Sequence, residues 1–273
     1  MSYYTVLGLD KEPFSSSPDP GFFYESPEHH AALIRLMIGI RLKRGLSLML
    51  GDVGTGKTTL SRKLFRILKQ REDIEFHMIL DPTDDTEELF LDSLVRTFKI
   101  TISVENPSVL DFKEALKNYL FRVGVEEKKT VVLLIDEAQK LNSISLEILR
   151  VLLNYETNEY KLLQLIVMGQ LELLPRVREM KNLWDRISLK YVLNPLDEQE
   201  TKEMIEFRLQ QAGYTTGPSF FTEEAVAEIY NYTQGYPRRI AMICHNSLQE
   251  LVMKSKPVVD ANIIRELIAR EVT

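Results

Sequence analysis

The sequence lacks the features that mark secreted, membrane-spanning and strongly nucleic-acid-binding proteins. Its 273 residues include one cysteine, Cys244, so no internal disulfide can form and a reducing compartment is expected. No run of about 18 apolar residues occurs, and the N-terminal stretch MSYYTVLGLDKEPF does not have the shape of a signal peptide. The net charge of −6 gives no general attraction to nucleic acid. We therefore expect a cytoplasmic protein with no transmembrane segment.

The composition is that of an ordinary globular protein. Hydrophobic residues make up 44% of the chain and charged residues 27%. The length suffices for one large domain, or for a domain with a small partner domain. The sequence shows no internal repeat and no low-complexity segment.

A phosphate-binding loop pattern follows the apolar stretch at residues 46–50. Residues 51–58 read GDVGTGKT, which matches G-x-x-x-x-G-K-[ST]. The glycines allow backbone N–H groups to turn toward phosphate oxygens, and the helix predicted from Lys57 adds its positive dipole end. Lys57 would reach the β- and γ-phosphates of ATP, and the Thr58 hydroxyl would hold Mg²⁺. The predicted nucleotide-binding residues of this loop are Gly51, Asp52, Val53, Gly54, Thr55, Gly56, Lys57, Thr58 and Thr59.

A second motif lies at residues 130–139, TVVLLIDEAQ. The continuous apolar run at residues 131–135 predicts a strand that is buried on both faces of a parallel sheet. Asp136 and Glu137 follow at its carboxyl end, where ligands of open α/β sheets bind. Asp136 fits the magnesium-holding position of P-loop NTPases, and Glu137 is the candidate to orient and deprotonate the attacking water. Together with the phosphate loop, this pair predicts ATP hydrolysis rather than nucleotide binding alone.

Strand and helix patterns alternate through most of the chain, which predicts a parallel sheet flanked by helices. Strand patterns lie at residues 46–50, 74–80, 130–135, 162–168 and 190–193. Helix patterns lie at residues 27–43, 57–70, 85–98, 109–122, 143–155 and 171–181. After Pro195 only helix patterns follow, at residues 198–212, 222–233, 237–254 and 260–271. We predict an α/β P-loop nucleotide-binding domain with an N-terminal arm and a five-stranded parallel sheet at residues 1–195, and a small all-helical lid domain at residues 196–273.

This combination of motifs resembles the AAA+ ATPases. The resemblance implies that Gln170, at the end of a strand, is the sensor-1 residue that contacts the γ-phosphate or polarises the attacking water. It implies that Arg186, just before the last strand, is an arginine finger, and that Arg238, at the start of a lid helix, is the sensor-2 arginine. In this class the segment before the first helix commonly lines the adenine pocket, which makes Pro13 and Phe14 candidate adenine contacts; packing of an N-terminal arm is the alternative interpretation. Because an arginine finger acts on a neighbouring subunit, the resemblance also implies self-association into a ring or filament.

More narrowly, the chain resembles the ATPase domain of the type II (general) secretion pathway protein A family. The matching stretches are LGLDKEPFSSSPDPGFFYESPEHHAAL, GDVGTGKTTLSRKL, LLIDEAQKL, LLNYET, LLQLIVMGQLELL, DRISLKYVLNPL and GYPRRIAMIC. The N-terminal stretch is the most specific to the family, whereas the nucleotide motifs are general. The resemblance implies a Mg²⁺-dependent ATPase, at the inner face of the bacterial inner membrane, that drives assembly or remodelling of a multiprotein envelope complex.

Two other classes of function compete with this interpretation. A DNA-associated AAA+ ATPase, of the transposition-helper or origin-loading type, has similar motifs. The basic residues after the phosphate loop could contact DNA or an acidic partner, although a solvated helix face is their ordinary interpretation. Those residues are Arg62, Lys63, Arg66, Lys69 and Arg71. The acidic net charge and the lack of an appended helix-turn-helix argue against the DNA-associated class. A nucleotide-gated scaffold that hardly turns over is the other alternative, and the presence of Lys57, Asp136 and Glu137 argues against it.

Overall fold

The computed structural model describes residues 2–15, 19–215 and 217–271. Its strands are β1 (Leu46–Gly51), β2 (Ile74–Ile79), β3 (Thr130–Ile135), β4 (Leu163–Gly169) and β5 (Ile187–Leu193). Its α-helices are α1 (Tyr3–Val6), α2 (Pro27–Arg41), α3 (Lys57–Lys69), α4 (Glu87–Thr97), α5 (Val109–Phe121), α6 (Ser143–Leu152), α7 (Leu173–Glu179), α8 (Lys181–Trp184), α9 (Glu198–Gln211), α10 (Glu223–Thr233), α11 (Pro237–Met253) and α12 (Ala261–Glu271). Within this described part of the chain, none of the helices is both long enough and apolar enough to span a bilayer.

The chain folds into two compact units. The sheet unit consists of His29–Asp52 and Leu60–Leu193. The helical unit consists of the described residues of Met1–Glu28, Val53–Thr59 and Asn194–Thr273. The boundary predicted after residue 195 stays a prediction.

The sheet unit contains a five-stranded sheet in the order β2-β3-β4-β1-β5, and every neighbouring pair of strands is parallel. The predicted α/β fold with a five-stranded parallel sheet is therefore confirmed. Strand β5 begins at Ile187, ahead of the predicted start at residue 190. Its residues alternate between buried and exposed positions because β5 is an edge strand, so the continuous apolar run that marks the central strands is missing.

The core of the sheet unit explains why the sequences of the central strands are continuous apolar runs. All six residues of β1 and all seven residues of β4 are buried. Helices α4 and α5 contribute Phe90, Leu94 and Leu116 to the same apolar cluster as Val131 and Leu133 of β3. A strand with both faces covered excludes charged side chains along its length, so they lie before or after the strand.

The helical unit has a core of its own, built on α9 to α12. A capping box at Asp197 and Glu200 starts α9, and the Thr222 side chain caps α10. The N-terminal segment belongs to this core, since Leu9 and Phe14 lie in the same cluster of buried residues as the apolar faces of these helices. The Asp10 N–H also donates to the Ala212 carbonyl oxygen at 2.8 Å.

Phe14 gives a test of this packing. Its ring is 1% exposed and meets the ring of Phe221 edge-on, with centroids 6.1 Å apart. We expect Phe14→Ala to lower the free energy of unfolding by about 3–5 kcal/mol, because a large buried ring leaves a cavity. Chemical denaturation followed by circular dichroism measures this change. Val6→Ala, at a side chain that is 53% exposed, is the control and should change stability by less than about 0.5 kcal/mol. Unchanged stability of Phe14→Ala would contradict the core assignment.

Candidate nucleotide-binding site

The phosphate loop has a backbone that glycine alone adopts easily. Gly54 has φ +86° and Gly56 has φ +98°, both in the left-handed region. A Cβ atom placed on Gly54 would lie 3.0 Å from the Cβ of Arg238. Gly54 is therefore required both by its dihedral angle and by its close neighbour. Left-handed glycines directly before a helix N-terminus are typical of phosphate-binding loops.

Helix α3 begins at the predicted phosphate-contacting lysine. Lys57 is its first residue and is only 7% exposed. The first turn of α3, all of it within the described chain, contains no acidic residue. The positive end of the helix dipole is therefore not offset by a carboxylate of its own helix, which favours a bound anion.

Asp136 lies at the carboxyl end of β3 and is 1% exposed. Its Oδ2 accepts a hydrogen bond from the buried Ser61 hydroxyl at 3.2 Å, and its Oδ1 accepts one from the Glu137 N–H at 3.0 Å. These bonds fix the orientation of the carboxylate. A fixed carboxylate is the type of ligand that Mg²⁺ prefers, as is the hydroxyl of Thr58.

Glu137 has an unusual backbone conformation. Its φ of +52° and ψ of +34° lie in the left-handed region, which is uncommon for a residue with a Cβ. Such positions cost about 1–3 kcal/mol and cluster at active sites. Its carboxylate Oε2 accepts a hydrogen bond from the Gln139 amide Nε2 at 2.6 Å.

Gln170 follows directly after β4, the neighbour of β3 in the sheet. Its backbone N–H donates to Gln139 Oε1 at 3.1 Å, so the turn after β3 and the turn after β4 are joined. Arg176 of α7 adds a second link, because its guanidinium donates to the carbonyl oxygens of Gln139 (2.8 Å) and Leu141. Neither Gln139 nor the role of Arg176 was predicted from the sequence. The only signal was the position of Gln139 beside the acidic pair.

Arg186 lies away from these groups. It immediately precedes β5, so it is at the amino edge of the parallel sheet, whereas Asp136 and Glu137 are at the carboxyl edge. Its guanidinium donates to Asn154 Oδ1 at 2.7 Å and to the Asn182 carbonyl oxygen. Arg186 is thus not placed to reach a phosphate held by the carboxyl edge of its own sheet.

Arg238 and Arg239 are neighbours in α11 with different surroundings. The Arg238 N–H donates to the Gly54 carbonyl oxygen, with a nitrogen–oxygen distance of 3.4 Å, so Arg238 adjoins the phosphate loop within the helical unit. The guanidinium of Arg239 instead lies over the ring of Tyr236, 5.1 Å from its centroid. Of the two, Arg238 has the position that suits a phosphate sensor.

The two predicted adenine contacts are buried. Phe14 packs in the helical core, and the Pro13 carbonyl oxygen accepts a hydrogen bond from Arg208 Nη1 at 3.5 Å. Their contact with adenine stays a prediction. The structure thus groups the predicted residues within each unit: Asp136, Glu137 and the Gln170 turn in the sheet unit, and Gly54 with Arg238 in the helical unit.

Sequence comparisons identify relatives of the chain. The AAA domain family matches residues 40–177. General secretion pathway protein A of Aeromonas hydrophila is 37% identical over 248 residues, which cover 90% of this chain and 44% of that protein. The chain therefore spans less than half the length of this relative.

Structural comparisons agree with the fold. The ORC2 protein of Aeropyrum pernix, in its ADPNP-ADP complexes, gives a TM-score of 0.67 at 17% identity and covers 96% of this chain and 72% of that chain. Cdc6p from Pyrobaculum aerophilum gives a TM-score of 0.67 at 18% identity, with 92% and 68% covered. At such identities the likeness shows the fold alone. The family match over half of the chain and the sequence identity over most of it show that this chain belongs to the AAA domain family, as an AAA+ protein related to general secretion pathway protein A.

Proposed function

We propose that this protein is a Mg²⁺-dependent ATPase that hydrolyses ATP to drive assembly or remodelling of a multiprotein complex. The observation that supports hydrolysis most directly is the pair at the end of β3. Asp136 is buried with both carboxylate oxygens hydrogen-bonded, and Glu137 follows it in a left-handed conformation with its carboxylate held by Gln139. A second, oriented carboxylate next to a metal-type aspartate has a function when water is the nucleophile.

Each residue has a defined task in this proposal. The N–H groups of the phosphate loop and the Lys57 ammonium bind the phosphates of ATP, while Thr58 and Asp136 would hold Mg²⁺, which supplies positive charge next to the phosphates. Glu137 orients the attacking water and accepts its proton. Gln170 and Arg238 contact the γ-phosphoryl group, which makes them sensitive to whether ATP or ADP is bound.

We place Arg186 in the site of a neighbouring subunit. Its position at the amino edge of the sheet leaves it no phosphate at the carboxyl edge of its own chain, so a finger role requires a second copy of this chain. Contacts between unlike surfaces of identical subunits form either closed rings or filaments. Self-association would therefore be part of the catalytic cycle.

The protein partner is proposed from the relative's name. General secretion pathway protein A points to secretion or envelope machinery, with this chain acting on the cytoplasmic side, at the inner face of the inner membrane. The alternative of a DNA-associated ATPase receives no support from the ORC and Cdc6 structures, because likeness below 20% identity carries the fold alone. Salt-dependent DNA binding would support this alternative, because contacts to DNA phosphates release counterions.

The proposed ATPase predicts opposite defects for two substitutions. Lys57→Ala should abolish binding of a fluorescent ATP analogue, because the phosphates lose their main positive partner. Glu137→Gln should bind the analogue normally but release phosphate at least about a hundredfold more slowly, the size of a general-base contribution. Glu179→Gln, at an exposed position in α7, is the control and should turn over like the parent. Parental turnover by Glu137→Gln would refute the assignment of Glu137.

Gly54→Ala tests the backbone of the phosphate loop. A left-handed alanine costs about 1–2 kcal/mol, and its Cβ would also press on Arg238, so we expect about tenfold weaker binding of the ATP analogue. Gly39→Ala is a matched control. Gly39 lies in α2, where an added Cβ would meet the Ser47 hydroxyl at an ordinary 3.5 Å. That variant should bind normally, and equal affinities for the two variants would contradict the proposed role of Gly54 in the phosphate loop.

The proposed action of Arg186 on a neighbour predicts that specific activity rises with protein concentration. Arg186→Ala should lower turnover at least about tenfold while nucleotide affinity is retained, because the charge that develops on the phosphoryl group loses a partner. Mixing Arg186→Ala with Glu137→Gln should restore part of the activity, since each variant supplies what the other lacks. Activity that is independent of concentration, together with no recovery on mixing, would show that Arg186 does not act between subunits.

A further inference from the structure

The turn after β3 contains a polar side chain, Gln139, to which the proposed mechanism assigns no task of its own. Gln139 is half-buried, and both ends of its amide group are occupied. Its Nε2 donates to Glu137 Oε2 at 2.6 Å, and its Oε1 accepts from the Gln170 N–H at 3.1 Å. The amide therefore bridges the proposed water-activating carboxylate and the proposed sensor turn.

The chemistry of the two partners fixes the orientation of this amide. A backbone N–H can only donate, so the amide oxygen must face Gln170. The NH₂ group then necessarily faces Glu137, whose ionised carboxylate can only accept. A flipped amide would place oxygen against carboxylate and NH₂ against N–H, and would lose both bonds. The Gln170 N–H thus fixes the orientation of the Gln139 amide, which directs the NH₂ group of Gln139 toward the Glu137 carboxylate.

The surrounding structure holds the backbone of Gln139 as well. Arg176 Nη1 donates to the Gln139 carbonyl oxygen at 2.8 Å. A Cβ atom on Gly169 would lie 3.2 Å from the Gln139 nitrogen and 3.3 Å from its Oε1, so β4 ends in a glycine where Gln139 approaches closely. A displacement of the Gly169–Gln170 turn would therefore be transmitted to Gln139, and through its amide to the carboxylate of Glu137.

We propose that Gln139 is a positioning residue that holds the Glu137 carboxylate for water activation and makes its placement depend on the Gln170 turn. The inference rests on the proposed ATPase function and deepens it. Without a donor, the Glu137 side chain regains rotation about its flexible bonds, and an error of about 1 Å in a catalytic group costs up to about a hundredfold in rate. Occupancy of the sensor turn by the γ-phosphate would then be reported to Glu137 by one hydrogen-bonded amide.

Two substitutions at Gln139 separate positioning of Glu137 from simple anchoring of the turn. Gln139→Leu removes both hydrogen bonds at similar size. Gln139→Glu keeps an acceptor for the Gln170 N–H but places a second carboxylate against Glu137. We expect both variants to lower kcat about 10- to 100-fold with KM for ATP within about twofold of the parent. If Gln139 only anchors the turn, Gln139→Glu would keep the parental kcat, and that result would overturn the proposal.

Gln164→Leu is the matched control for loss of a structural glutamine. Gln164 lies in β4, and its amide bridges two backbone groups, Gly45 N–H (2.8 Å) and the Lys161 carbonyl oxygen (2.7 Å), so it has no contact with a catalytic carboxylate. We expect this variant to lose thermal stability but to keep kcat. If the Gln139 variants show the same pattern, their role is structural and the proposal fails.

Gly169→Ala and Glu137→Gln complete the experiment. Gly169→Ala leaves Gln139 intact but displaces it, so kcat should fall with KM unchanged, and an unaltered kcat would count against transmission through this turn. Glu137→Gln, measured beside them, separates the two levels of inference. If Glu137→Gln turns over like the parent, the proposed function fails. If it does not, while the Gln139 variants retain the parental kcat, only the positioning role fails.

Discussion

Burial of the central strands on both faces is the constraint on which the rest of the structure depends. Strands β1, β3 and β4 have no exposed face and contain no charged residue, so charged side chains lie before or after these strands. Because all the strands are parallel, their carboxyl ends lie at one edge, where Asp136, Glu137 and Gln170 follow β3 and β4. The same arrangement separates Arg186 from them, since it precedes a strand instead of following one. The topology of the sheet therefore places Asp136 and Glu137 at the carboxyl edge and Arg186 at the amino edge.

The turn after β3 shows how a strained backbone persists next to such a core. A left-handed Glu137 costs about 1–3 kcal/mol. Hydrogen bonds to charged groups, each worth about 1.5–3 kcal/mol, offset this cost. These are the bond from Gln139 to Glu137 and the bonds from Arg176 to two carbonyl oxygens. The strain is therefore supported by the neighbouring β4 and α7, and Glu137 is held at the surface of the core instead of relaxing into a regular turn.

The sequence predicts those parts of the protein that depend on local pattern. Continuous apolar runs located β1, β3 and β4, and the phosphate loop follows from one motif with a strand before it and a helix after it. The early start of β5 was missed because an edge strand alternates instead of forming a run. Packing of Phe14 was one of two interpretations of the N-terminal aromatics, but its partner Phe221 lies far along the chain and could not be identified from the sequence. Gln139 was not predicted because its role depends on a hydrogen bond from the Gln170 N–H, which belongs to another turn of the chain.

The two arginines proposed to contact phosphate differ in what they connect. Arg238 adjoins the Gly54 carbonyl oxygen through its own backbone N–H, so in the proposed mechanism its side chain reports the nucleotide to the helical unit of the same chain. Arg186 donates to Asn154 and Asn182 at the amino edge of the sheet, so the finger role that we propose for it requires a phosphate bound by another chain. One nucleotide would then contact Arg238 of its own subunit and Arg186 of a neighbouring subunit. In the function that we propose, hydrolysis would be coupled to assembly because loss of the γ-phosphate would remove both contacts at once, including the one at the subunit interface.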